Sequence, residues 1–168
     1  MTELQRLRDE RCKIVLSFGA GVQSSALLLM SCKGLLPKID VAIFADTGWE
    51  PAAVYAHLEW CENEAAKAGI PVVRVRHNEL GLRNTVIRAV NDPKVRFAAV
   101  PLYVMAGGKR EGMGRRQCTR EYKVEPIETY IRREILGLRP RQHAPKEECV
   151  EQWMGITVDE IQRAKPSR

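Results

Sequence analysis

The chain has 168 residues, 45% of them hydrophobic and 29% charged, with a net charge of +6. At this length a globular chain buries roughly 68–70% of its unfolded surface, enough for one core without metal or disulfide staples. No apolar run approaches the roughly 20 residues that cross a bilayer, and no charged segment with an apolar successor opens the chain. A soluble, cytoplasmic, single domain over 12–168 is therefore expected, without a membrane partner, behind a polar, flexible leader at 1–11.

The first predicted element is a strand at Ile14, Val15, Leu16 and Phe18, which breaks into the small-residue turn Gly19, Ala20, Gly21. Ser24 and Ser25 are natural helix caps, Ala26 to Met30 is an apolar helical run, and Gly34 closes it. The first amides of such a helix lack intrahelical partners and sit at the positive end of its dipole, so an anion is favoured there. A plain strand-to-helix turn is the alternative. The Walker loop is excluded, because no Lys follows the second glycine, and the dinucleotide fingerprint is excluded, because Ser24 stands at its third glycine position.

The same grammar repeats once. Val41 to Ala45 reads as a short strand ending at Asp46, Thr47 and Gly48, and a helix from about Glu50 or Pro51 runs to Gly69. Thr47 and Glu50 have capping-box spacing, while Pro51 suits a first helical position. An acid at the carboxyl end of such a strand lies where open α/β sheets bind ligands, so Asp46 is a candidate for a ribose hydroxyl or a magnesium ion, or is a solvated turn aspartate.

Further on, Val72 to Arg76 alternates as a third strand and Asn84 to Val90 suits a short helix that Asn91, Asp92 and Pro93 end. Phe97 to Met105 is apolar but holds Pro101, which suggests an edge strand or a packed loop. Gly107, Gly108, Gly112 and Gly114 form a pliable link, a candidate lid or a surface loop. Pro126 is expected to begin a helix with Ile127, Tyr130, Ile131 and Ile135 on one face, stopped by Gly137. Cys118, Thr119, Arg120 and Lys123 then lie just ahead of that start, where Arg120 and Lys123 are placed to meet phosphate or sulfate oxygens. Thr157 and Glu160 have capping-box spacing for a last short helix.

Basic residues gather between Lys109 and Lys146, Arg116 among them, and suit nucleotide phosphates, a DNA or tRNA backbone, or a solvated face. No aromatic ladder interleaves with them. The five cysteines, at 12, 32, 61, 118 and 149, contain no C-x-x-C pair, which favours reduced thiols over a disulfide framework. Cys32 and Cys61 fall in helical patterns as small core residues. Cys118 has Arg116, Arg120 and Lys123 as sequence neighbours, which favours its thiolate and makes it a candidate sulfur carrier or cluster ligand. An iron–sulfur cluster normally needs four protein thiolates, which leaves Cys118 an incomplete candidate for one. His57, His77 and His143 show no metal-ligand spacing.

Three ordered segments carry a resemblance. SFGAGVQSS resembles the S-G-G-x-D-S pyrophosphate loop of the adenine nucleotide alpha hydrolase superfamily, and FADTGWEP resembles its D-T-G motif. RRQCTREYKVEPI, residues 115–127, resembles the R-K-V-x-P-L region of the phosphoadenosine phosphosulfate reductase branch. The resemblance implies a three-layer, Rossmann-like parallel sheet flanked by helices, with ATP or a sulfonucleotide, and Mg2+, at the carboxyl ends of its strands. It implies that Ser17, Phe18, Gly19, Ala20, Gly21, Gln23, Ser24 and Ser25 line the phosphate site, with Asp46, Thr47 and Gly48 near the nucleoside. Arg116 joins them, while Asp46, Cys118, Arg120 and Lys123 take the catalytic roles and Asp46 the metal.

Members of this superfamily adenylylate substrates, reduce sulfonucleotides, or insert sulfur into tRNA or DNA. Two departures bear on this chain. Gln23 stands where the loop has an acid and Ala20 where it has a glycine, and an amide cannot contribute charge to a magnesium pyrophosphate site. The resembled reductases also rely on further cysteines near the C terminus, where this sequence has none beyond Cys149, so neither an iron–sulfur cluster in this chain alone nor a self-sufficient sulfonucleotide reductase is expected. The open alternatives are a nucleotide-binding protein without turnover, or a subunit of DNA or tRNA modification that needs a protein partner or a second copy.

Overall fold

A computed structural model of the chain describes residues 12–92, 94, 103–113, 118–145 and 149–163. Its central feature is a four-stranded sheet in the order β3-β2-β1-β6, formed by β1 (Cys12–Ser17), β2 (Val41–Ala45), β3 (Val72–Val75) and β6 (Cys149–Met154). β1 runs parallel to β2, with Val15 opposite Val41, and parallel to β6, with Cys12 opposite Cys149 and Ser17 opposite Met154. Ala42 N donates to Pro71 O and Asp46 N to Val75 O, so β2 and β3 also advance together. The α/β fold with a Rossmann-like parallel sheet is thus as expected.

Apolar periodicity explains the packing. Leu16 and Phe18 of β1 and its exit share a face with Ala42 and Phe44 of β2, and they pack with Leu28 of α1 (Val22–Cys32) and with Leu58, Cys61 and Ala65 of α2 (Ala52–Lys67). Val15 and Ile43, on the opposite face, are equally buried, which is why these strands read as continuous apolar runs rather than as alternation. Among the described residues no helix is long and apolar enough to cross a membrane.

The described residues of Met1–Phe44, Pro51–Arg74 and Arg132–Arg168 form one compact unit, and those of Ala45–Glu50 and Val75–Ile131 form a second. The second contains α3 (Gly81–Asn91), longer than the expected 84–90, and a hairpin of β4 (Tyr103–Ala106) and β5 (Lys109–Met113). Gly107 and Gly108 both take positive φ, 57° and 77°, and Ala106 pairs with Lys109 across them. Two successive left-handed residues make the turn that matches strand twist, so these glycines close a hairpin and are not the expected pliable link. Gly114, most of 97–105, the leader at 1–11 and the chain end past 163 lie outside the described residues.

Three further boundaries differ from expectation. α1 begins at Val22 with Gly21 as its cap residue, so Ser24 and Ser25 sit inside the first turns and do not cap. α2 begins at Ala52, and Thr47 and Glu50 bond to each other outside it. Helical backbone starts at 118, not at Pro126: a wide turn over Arg120–Val124 precedes α4 (Glu125–Tyr130), and a second follows over Ile131–Ile135. Glu125 N bonds five residues back to Arg120 O, which moves the carbonyls away from where a proline ring strikes in an ordinary helix. β6 is not foreseen from the sequence at all, whereas a 3-10 helix over Val158–Arg163 follows Thr157 as the capping-box spacing suggests.

Candidate functional site

In the first unit, β1 and β6 are the strands between which the sheet order reverses. The connection from β1 leads through α1 to β2 on one side, and β6 lies on the other side. In open parallel sheets, ligands bind outside the carboxyl ends at such a reversal. Ser17 to Gly21 leave β1 at that end, and Gly155 leaves β6 there.

The loop is built from backbone. Gly21 precedes α1 with φ −91° and ψ 171°, and no side chain caps the helix, so the amides of residues 21–24 have neither an intrahelical partner nor a side-chain cap. A Cβ on Gly19 would meet nothing within 4 Å, and one on Gly21 would meet only Gln23 Oε1, at 3.8 Å. Ala20 has φ 52°, the left-handed region, at the position where the resembled loop has its glycine. Its methyl group lies in the core.

The Phe18 ring and the serine hydroxyls of the loop meet protein groups. Phe18 is a core residue whose ring meets Phe44 edge-on at 6.5 Å, and its N donates to Ile43 O. Ser17 Oγ accepts from Gln152 Nε2 at 2.7 Å. Ser24 donates its hydroxyl to Gly21 O at 3.2 Å, and Ser25 Oγ lies 2.9 Å from His57 Nε2. The structure therefore brings Ser17 to Ser25 together as a loop, with its hydroxyls held by protein groups and its glycine backbone open.

Gly155 is a position beside the loop that the sequence alone does not single out. A Cβ there would lie 2.6 Å from Ser24 N and 2.8 Å from the carbonyl carbon of Gln23. Only glycine lets the exit of β6 lie directly against the first turn of α1. Gln152 and His57 were missed as well. Nothing in their sequence neighbourhood points to Ser17 or Ser25, because both contacts depend on the sheet register and on the packing of α2.

In the second unit, Asp46 is 3% exposed and its carboxylate is engaged on both oxygens. Oδ1 accepts from Gly48 N at 2.8 Å, and Oδ2 accepts from Arg76 Nε at 2.9 Å and from the Arg76 terminal nitrogen. Thr47 donates its hydroxyl to Glu50 Oε1 at 3.1 Å and accepts from Trp49 N, and Thr47 O accepts from Leu82 N at 2.7 Å. Gly48, at φ 69°, and Gly81 touch backbone to backbone. A Cβ on Gly81 would reach 3.0 Å from Thr47 O, so both glycines are required by the close approach.

The resemblance implies a magnesium ion at Asp46, but the residues around it do not fit one. The Arg76 guanidinium already neutralises the carboxylate, and its charge opposes a second cation at the same oxygen. Among the described residues no three His, Cys, Asp or Glu side chains converge as a metal site.

The two described cations expected to clamp phosphates also hold carboxylates. Lys123 Nζ lies 2.9 Å from Glu50 Oε1, and Arg120 Nε lies 3.3 Å from Glu125 Oε1. Both lie within the helical run that starts at 118, so the expected placement ahead of a helix start is corrected. Tyr122, between them, is buried against His77 with ring centroids 4.9 Å apart. Cys118 carries a free, half-buried thiol. Arg116 lies outside the described residues.

Cys32 and Cys61 are free thiols as expected, with burial as the main cause pushing both pKa values up. Cys12 is disulfide-bonded, a departure from the reduced thiols that the dispersed set favours. A C-x-x-C search sees only near neighbours, whereas strand register brings distant positions opposite each other.

The class that fold and loop define is an α/β protein with a Rossmann-like parallel sheet and a glycine loop at its switch point. A scan against protein-family models and a search of curated proteins returned no match to this chain.

Proposed function

We propose that this chain binds the phosphates of an adenine nucleotide, ATP or a sulfonucleotide, on the loop from Ser17 to Ser24, as a protein of the adenine nucleotide alpha hydrolase type. One observation carries the reading: uncapped amides at residues 21–24 adjoin a glycine loop at the carboxyl end of β1, where the strand order reverses toward β6. The ordered likeness of the three sequence segments supports the same ligand class. Adenylylation or sulfur transfer, on a small molecule or on DNA or tRNA, is the chemistry that this likeness implies.

A second reading has its own support. Asp46 is neutralised by Arg76, and Gln23 stands where an acid would add charge, so binding without turnover, or turnover completed by a partner, fits these residues. Residues of this chain then bind and orient the phosphates and leave cleavage to other groups.

Gly19→Asp tests the site. Its Cβ meets open space and its φ is not left-handed, so the fold tolerates the change while a carboxylate enters the phosphate loop. Calorimetry with ATP should show binding to the natural chain and at least about a tenfold loss in the variant, with an unchanged melting temperature. Equal binding by both proteins removes the site. Pyrophosphate release in the presence of Mg2+ would separate the enzyme reading from the binding reading.

A further inference from the structure

Three side chains of the first unit meet behind the loop. His57 Nε2 lies 2.9 Å from Ser25 Oγ and 3.5 Å from Cys61 Sγ, and the Cys61 thiol faces Ser25 Oγ at 4.0 Å. Cys61 is fully buried and Ser25 is 6% exposed. Trp60 stacks on the imidazole with centroids 5.6 Å apart, so the ring is held on its face as well as at its nitrogen. Ser25 also makes the first intrahelical bond of α1, from its N to Gly21 O at 2.9 Å. Its position therefore sets where Gly21 sits and where the amides of residues 21–24 point.

We infer that His57 is a positioning residue for the phosphate loop: by holding the Ser25 hydroxyl it fixes the rotation of the first turn of α1, and with it the aim of the anion-binding amides. This inference rests on the proposed phosphate site and deepens it. The Ser25 hydroxyl is buried and faces His57 on α2, so Ser25 serves a ligand through the backbone it anchors. Amides that must converge on a phosphate within a few tenths of an ångström lose affinity when that turn can rotate. From the sequence, Ser25 is a candidate ligand contact and His57 a histidine without metal-ligand spacing. The structure links the two.

A structural role alone would change stability and leave the affinity of the folded protein alone, so the test reads both. Inorganic pyrophosphate and ATP are titrated into the natural chain, Ser25→Ala, His57→Ala, the double variant and His57→Gln, with a melting temperature for each. The natural chain should bind, and His57→Ala and Ser25→Ala should each bind about threefold to tenfold more weakly, the range of one lost hydrogen bond. The double variant should be no weaker than the worse single one, and His57→Gln, which keeps a polar atom near the Nε2 position, should recover most of the affinity. Where His57→Ala is too unstable to titrate, Ser25→Ala and His57→Gln carry the comparison.

Folded variants that bind like the natural chain, or two losses that simply add, overturn the positioning role while the phosphate site stands. Absence of binding in the natural chain itself overturns the phosphate site, and the positioning role with it.

Discussion

The loop after β1 and the loop after β2 look alike in sequence, each an apolar strand, a small polar turn and a helix, yet they use their polar groups in opposite ways. After β1 the hydroxyls face protein partners while the glycine backbone and the first helical amides stay uncapped. After β2 the carboxylate of Asp46 and the hydroxyl of Thr47 are occupied by Arg76, Gly48 N, Glu50 and Trp49 N, and the glycines are there to let backbones touch. The first arrangement suits an incoming anion. The second is a brace. The difference shows that a strand-end acid is not by itself a ligand site, and that what already occupies its lone pairs decides the matter.

The largest expected effect lies in the brace. Asp46→Ala leaves Gly48 N without its acceptor and Arg76 without its carboxylate, and should lower stability by about 2–3 kcal/mol, measured by urea denaturation. Arg76 is half exposed, so its charge returns to water and the loss stays below that of a fully buried pair. If Asp46→Asn instead abolishes pyrophosphate release at unchanged stability, the brace is a catalytic loop and the contrast breaks.

Next is Gly155→Ala, whose Cβ would overlap backbone of the first turn of α1. A loss of about 1–3 kcal/mol is expected, together with weaker nucleotide binding, because the atoms displaced belong to the phosphate loop. A variant as stable as the natural chain would show that β6 does not set that turn.

Ala20→Gly should be a smaller change. It relieves the left-handed cost of about 1–2 kcal/mol, but it gives up a buried methyl and adds unfolded-state freedom. The net shift in denaturation midpoint should stay within about 1 kcal/mol of zero. A large loss would mean that the methyl packing, rather than the turn, holds this position.

The smallest effect is with pH. Cys61 titrates above its ordinary value of 9.0 because burial disfavours the thiolate. A raised folded value means that its contribution is fully present below about pH 9 and is lost as pH rises through the folded value. Stability should fall on the alkaline side, and Cys61→Ala should flatten that limb relative to the natural chain. An unchanged alkaline slope would show that Cys61 does not contribute to it.

Much of the first unit was legible in the sequence. β1, β2 and β3 are apolar runs with few helical alternatives, and the glycine loop stands out because nothing bulky interrupts residues 19–21. The remainder depended on contacts distant in sequence. β6 carries Glu151 and Gln152 among its apolar residues, so it does not read as a sheet strand until it pairs with β1. Arg76 was read as the last strand residue and not as the partner of Asp46, and Glu50 as a helix cap and not as the partner of Thr47 and Lys123. Residue type showed that charge was present, but not which charges would neutralise each other.

On the proposed function, the β1 loop, and not the β2 loop, receives the anion. Inorganic pyrophosphate titrated into 15N-labelled protein tests it most directly, with backbone amide shifts read residue by residue. The largest shifts should fall on Gly21, Val22, Gln23 and Ser24, with Gly48 and Trp49 little changed; shifts centred on Gly48 and Trp49, or none on residues 21–24, would contradict it.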